Sequence, residues 1–255
     1  MPTSPIGDLA QSYLIRNRNH SLKQDITRLT EELATGQSSD VRHLLVGNYA
    51  FLADVERKTV VLGGYSVATS EATQFTGAMQ LQLGNFADQA ERLTTALIGA
   101  GSSPNGATSQ DLADEARNGL IAMFGSLNGS SAGRQLFSGN STNQPPLGDV
   151  SDVLADLTAA ISGAPTPADM LAQAKVWFDD PAGFVASAYQ GSASAMTDFD
   201  VSENENVSLD LRASDPFFFA SFRGAALAAL ATDPTFSLNA EERIELFGLT
   251  VAEML

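Results

Sequence analysis

At 255 residues, 44% of them hydrophobic and 17% charged, the chain is long enough for one or two domains around a sizeable core. It has no cysteine, which excludes disulfides and thiolate metal sites. A formal net charge of −16 argues against nucleic acid or an anionic membrane surface as a partner.

That charge is uneven. Residues 1–60 hold seven Lys/Arg and seven Asp/Glu, so the rest of the chain carries the whole −16. A neutral end on an acidic body suits an end that packs on copies of itself, although acidic residues also simply keep a surface soluble. Met1–Ser12 has neither a basic start nor an apolar run of seven, so no cleaved signal peptide is expected. No stretch approaches the roughly 18–20 apolar residues that span a bilayer.

Between Pro5 and Pro104 there is no proline. Helix interiors exclude proline because it removes a donor and clashes with the preceding turn, so this run reads as long rods. The first helix is expected from about Ile6 to Thr35, ended by Gly36 in the left-handed position. Ile15, Leu22 and Leu29 step by seven, and Asn19, Ile26 and Leu33 form the second row of the same seam. The stripe is narrow, as packing against one or two helices requires. Asn19 either sets register in that seam or is exposed.

Ser38, Ser39 and Asp40 offer caps for a second helix running to about Ile98. Its second half keeps a regular row of Ala72, Thr76, Met79, Leu83, Phe86, Ala90, Leu93 and Leu97. Its first half keeps a similar row through Val41, Leu45, Asn48, Leu52, Val55, Thr59 and Leu62. Gly63-Gly64 between the halves allows a bend or a break. Gly99–Ala107 reads as a turn. Thr108 with Asp111 then forms a capping box before a third helix marked by Leu112, Ala116, Leu120, Met123 and Leu127.

From Gly139 to about Asp215 prolines and acidic residues punctuate short apolar runs. Val150–Ile161, Pro167–Phe178 and Pro181–Tyr189 read as short helices, and Val201–Leu211 as a hairpin or extended arm with Val207, Leu209 and Leu211 alternating. Asp215-Pro216 starts another helix, and Asn239 with Glu242 caps a last one carrying Ile244, Phe247, Val251 and Leu255. No glycine, proline or basic last turn closes that pattern, so a native chain continuing helically past Leu255 is the expectation. The fold class expected is mainly α: an elongated bundle of long helices with a small mixed α/β insert. Residues 1–36 would form a terminal assembly helix, 37–139 with 214–255 a long-helix core, and 140–213 a small acidic insert.

Residues that could carry chemistry are sparse. His20 and His43 lie on different predicted helices, and no metal-ligand spacing, phosphate-binding glycine loop or nucleophile elbow occurs. Asp179-Asp180 and Glu203/Glu205 read as solvated acidic faces before they read as acid–base pairs. No catalytic residue, cofactor or metal is assigned, and the chain is expected not to be an enzyme. Phe217, Phe218, Phe219 and Phe222 are either core packing or a protein-binding patch, and Trp177 and Phe178 anchor the insert.

Leu127–Gly139 reads LNGSSAGRQLFSG; with SLKQDITRLTEELATGQ at Ser21–Gln37 it resembles the flagellin superfamily. Leu127, Asn128, Gly133, Arg134, Leu136, Phe137 and Gly139 match a signature that, in that family, leads a helix into a hairpin. Tyr189-Gln190-Gly191 and FDVSENENVSLDLRASDPFF (Phe199–Phe218) look like the return segment of its hook-associated members. With the WFDDPAGF segment (Trp177–Phe184), the likeness is greatest to the branch that joins hook to filament; filament flagellin is the alternative, and a helical signalling module a more distant one. SPIGDLAQSYLIRNRN departs from the usual amino terminus of filament subunits.

The resemblance implies a structural subunit exported by the flagellar secretion apparatus without a cleaved signal and working outside the cell. It implies neighbouring copies, an adjacent hook-associated protein, flagellin and an export chaperone as partners, with no nucleic acid and no membrane. It also implies Ile15, Leu22, Ile26, Leu29 and Leu33 as the assembly interface. An isolated helix of this kind is marginal in water and gains stability by burying its face. The chain alone is therefore expected to be monomeric, with its first forty residues loosely held.

Overall fold

The structure, a computed structural model, describes residues 6–39, 49–100 and 108–255. The chain divides between Gly63 and Gly64 into two units. In the first, α1 spans Ile6–Thr35. Gly36 then adopts φ +69° and its N–H donates to the Glu32 carbonyl at 2.8 Å. The Glu32 carboxylate accepts from the Ser39 N–H and hydroxyl at 2.8 and 2.7 Å, which closes the turn. The expected cap Ser39 therefore serves the end of α1; Asp40, Val41, His43, Leu45 and Asn48 lie outside the described residues. α2 spans Tyr49–Ala100 and continues through Gly63-Gly64 without interruption.

In the second unit the core is built on the α2 row. Ala72, Met79, Phe86, Leu93 and Leu97 are buried, Thr76, Leu83 and Ala90 half-buried, and Phe75, on the same face, is buried with them. The earlier part of the row is not: Val55 and Leu62 are exposed. The expected turn falls mostly on 101–107, outside the described residues. α3 (Ser109–Leu127) starts on the Thr108–Asp111 capping box and buries Leu112, Ala116, Leu120, Met123 and Leu127, the period read from the sequence.

A two-residue turn then joins β1 (Ser130–Ser131) to β2 (Arg134–Gln135), antiparallel, with Ser131 opposite Arg134. α4 (Val150–Ile161) is capped by Asp149 and α5 (Pro167–Asp179) by Thr166. The helix expected over 181–189 differs. It is a π-turn, Pro181–Val185, followed by the short α6 (Ala186–Ala188). Gly183 leaves helical geometry (φ −88°, ψ −117°) and lies against the Trp177 backbone, where a side chain would collide. The expected hairpin is shorter and starts earlier, pairing β3 (Phe199–Asp200) with β4 (Asn206–Val207). Val207, Leu209 and Leu211 are nonetheless half-buried with exposed residues between them, as their alternation predicts.

A 3-10 turn at Pro216–Phe218 leads into α7 (Phe219–Leu230), which is apolar on every side and buried from Phe222 to Leu230, Arg223 included. Phe218, Phe219 and Phe222 are core: Phe222 lies 5.6 Å from Phe86 and 5.0 Å from Phe124, edge to face. Phe217 is 74% exposed, so the cluster splits between the two readings. α8 (Ala240–Met254) begins on the Asn239–Glu242 capping box and buries Leu246, Phe247 and Thr250; Ile244 points outward and Leu255 is exposed. Elements from 140–213 share one hydrophobic core with α2, α3, α7 and α8. The fold is mainly α with two small antiparallel hairpins.

Candidate assembly surfaces

The α1 seam lies open. Ile15, Leu22, Ile26, Leu29 and Leu33 are between 53% and 87% exposed. Asn19 is exposed as well, so nothing in one chain gives it a register to set. Arg28 bridges Asp25 and Glu32 at 3.4 and 3.3 Å on the helix surface, a small contribution next to an uncovered apolar stripe. Leu9, Tyr13 and Leu14, which the seven-residue step does not include, are also exposed.

The signature residues meet at the carboxy-terminal end of α3. Leu127 and Phe137 are fully buried and Leu136 nearly so. Asn128 ends the helix and binds the Leu147 backbone twice, its side-chain N–H donating at 3.0 Å and its carbonyl accepting at 2.9 Å. Ala132 (φ 50°) and Gly133 (φ 77°) are both left-handed, the geometry of a tight type I′ hairpin turn. Arg134 reaches back to α2: it pairs with Glu71 and lies over the Phe75 ring at 4.7 Å.

Tyr189 and Gly191 return to this end. The Gln190 N–H donates to the Pro146 carbonyl at 2.8 Å and the Ser192 N–H to the Ser138 carbonyl at 2.9 Å. The Tyr189 hydroxyl donates to the Ser192 carbonyl at 2.9 Å; burial pushes its pKa above the ordinary value, opposed by the positive charge of Arg212. Gly139 (φ 59°) sits where a Cβ would lie 2.7 Å from the Ser192 carbonyl, and one on Gly191 would lie 2.8 Å from the Ser138 carbonyl. Leu127, Asn128, Leu136, Phe137, Gly139, Tyr189 and Gly191 thus build one knot that fixes the return of the chain against α3, while Gly133 shapes the hairpin turn and Arg134 docks it on α2. They are structural supports, and the exposed seam is elsewhere.

No family model matches the chain, and no curated protein matches it. It is similar to a solved structure described as "putative flagellar hook-associated protein from Vibrio parahaemolyticus", at 14% identity and TM-score 0.49, covering 82% of this chain and 84% of that one.

The remaining polar features have local roles. His20 is exposed on α1. Asp180 caps the π-turn through the Ala182 N–H at 2.9 Å, and Glu203 and Glu205 are exposed. Among the described residues no cluster of three or more His, Cys, Asp or Glu could hold a metal, and no helix is long and apolar enough to cross a membrane. Sequence reasoning missed an ion-pair cluster that ties three helices: Glu253 of α8 pairs with buried Arg223 of α7 and, at 2.8 Å, with Lys175 of α5. Burial pushes the Glu253 carboxyl up, but hydrogen bonds from Lys175 and Arg223 outweigh it and hold it below its ordinary value. A groove of about 540 Å³ lined by Leu83, Phe86, Ala90, Phe217 and Met254 opens beside it.

Proposed function

We propose that the chain is a structural subunit of the bacterial flagellum, joining hook to filament by helical packing with neighbouring copies. The observation that carries this reading is the knot at the end of α3. Two segments chosen for their family resemblance, Leu127–Gly139 and Tyr189–Gly191, share one hydrogen-bonded junction. The open α1 seam supports it from a different direction, since an apolar stripe left exposed among the described residues is suited to a partner.

On this reading Ile15, Leu22, Ile26, Leu29 and Leu33 pack against a second helix in the assembled tube, and the acidic body faces outward. An adjacent hook-associated protein and flagellin are its neighbours, a chaperone escorts it, and export through the flagellar secretion channel takes it out of the cell. The proposal assigns no catalytic group. Electron microscopy of purified hooks incubated with the protein tests it: caps of bound subunit at the hook end are expected. Normal motility in a strain lacking the gene would sink the proposal.

A further inference from the structure

We propose that Asn128 is a self-modification site that the knot at the end of α3 keeps shut, so that its carboxamide is lost to the neighbouring backbone only when the knot opens. The inference goes beyond the flagellar reading and does not depend on it. In the step itself the Gly129 amide nitrogen attacks Cγ of Asn128 and gives up its proton. The Cγ–Nδ2 bond breaks and ammonia leaves. Water then opens the five-membered imide at either carbonyl, leaving aspartate or isoaspartate, whose main chain runs through the former side chain. Glycine in the following position favours the attack, because no Cβ crowds the nitrogen.

The sequence holds three such pairs, Asn105-Gly106, Asn118-Gly119 and Asn128-Gly129. Asn105 lies outside the described residues. Asn118 sits inside α3, where the helix repeats one backbone conformation and ties each N–H to the carbonyl four residues back. Asn128 is the cap of that helix, with φ −80° and ψ 11°. Closing the imide ring needs Cβ and the next nitrogen on the same side of the Cα–C bond. For an L-residue that is ψ of about −120°, a sparsely occupied conformation. Asn128 must therefore turn by about 130° before it can react.

What prevents the turn comes from the knot more than from the helix. The Gly129 N–H donates to the Ser126 carbonyl at 3.2 Å, and the Gly129 carbonyl accepts from the Leu136 N–H at 3.1 Å. The carboxamide is tethered at both ends, Nδ2 donating to the Leu147 carbonyl at 3.0 Å and Oδ1 accepting from the Leu147 N–H at 2.9 Å. Leu147 is buried and bridges to Tyr189, so the tether holds as long as the returning segment stays docked. Conversion also undoes the knot. Aspartate at 128 has no N–H for the Leu147 carbonyl and turns an acceptor toward it. Isoaspartate lengthens the main chain by one methylene at the cap. A chain that has reacted cannot rebuild the same junction, so the modification is a one-way record of opening.

Peptide mass spectrometry of the whole chain, incubated in heavy-oxygen water at mildly alkaline pH, reads conversion at each asparagine. In urea Asn105, Asn118 and Asn128 convert at similar rates, since glycine follows each. In native buffer Asn128 slows about tenfold or more, because only the opened fraction reacts. Gly139→Ala, which crowds the Ser192 carbonyl, raises native conversion at Asn128 about tenfold more than at Asn118 and changes neither rate in urea. Tyr189→Phe, which removes one hydrogen bond and no ring, gives a smaller rise with the same selectivity. Chains converted in urea and then refolded unfold at a lower urea midpoint than unconverted ones. Equal rates for Asn128 in native buffer and in urea would overturn the inference. So would an equal rise at Asn118 and Asn128 in both variants, which would place the gate in global unfolding, or a converted chain with the parent's midpoint.

Discussion

Gly139 and Ala132 sit seven residues apart on opposite sides of one steric argument. Both have positive φ, but Gly139 is a glycine in a closed space and Ala132 an alanine in a tight turn. Gly139→Ala adds left-handed strain and a collision with the Ser192 carbonyl, a loss of about 2–4 kcal/mol in urea unfolding. Ala132→Gly relieves strain and gains up to about 1 kcal/mol in the same measurement, part of the gain being offset by the freer unfolded chain. Glu253 gives a pH dependence. Its folded-state pKa lies below its unfolded value, so its stabilisation is fully present above the ordinary value of 4.5 and is lost as pH falls through the lowered one. Glu253→Gln should therefore lower Tm at neutral pH and converge on the parent in acid. A gap that persists unchanged at low pH would mean that the side chain acts through packing alone.

The elements show why periodicity was readable where one face is covered and misleading where several constraints compete. The buried row of α2, α3, α4 and both capping boxes follow from spacing and caps, because each rests on one local rule. The π-turn does not. Its cause is a close approach between Gly183 and the Trp177 backbone, a contact that no spacing announces. On α8 Phe247 is buried and Val251 packs against the core as their spacing predicts, but Thr250 is buried too: its hydroxyl donates to the Phe247 carbonyl at 2.8 Å, which lets a polar residue occupy a core position while Ile244 faces out. The signature residues were legible as a set, but their spatial union was not, since it depends on backbone bonds between distant segments. The open α1 seam predicts a separation of effects. Leu22→Glu with Leu29→Glu should leave the thermal transition of the body unchanged and abolish binding to purified hooks; a large drop in Tm would show that the stripe is covered within the chain.

At the scale of the molecule, core and charge are both concentrated after Gly63. Every buried apolar side chain among the described residues lies between Ala72 and Phe247, and the net charge of residues 1–60 is zero. Hydrophobic stabilisation follows apolar area removed from water, so a segment that buries none contributes little to folding whatever its helicity. Removing residues 1–63 should then leave the calorimetric transition of the remainder within about 2 °C of the parent, because none of its described residues is a buried apolar side chain. The same deletion should make the protein more acidic per residue and remove the α1 seam, so binding to hooks should disappear. Retained binding would transfer the assembly role to the body, which carries the whole net charge of −16.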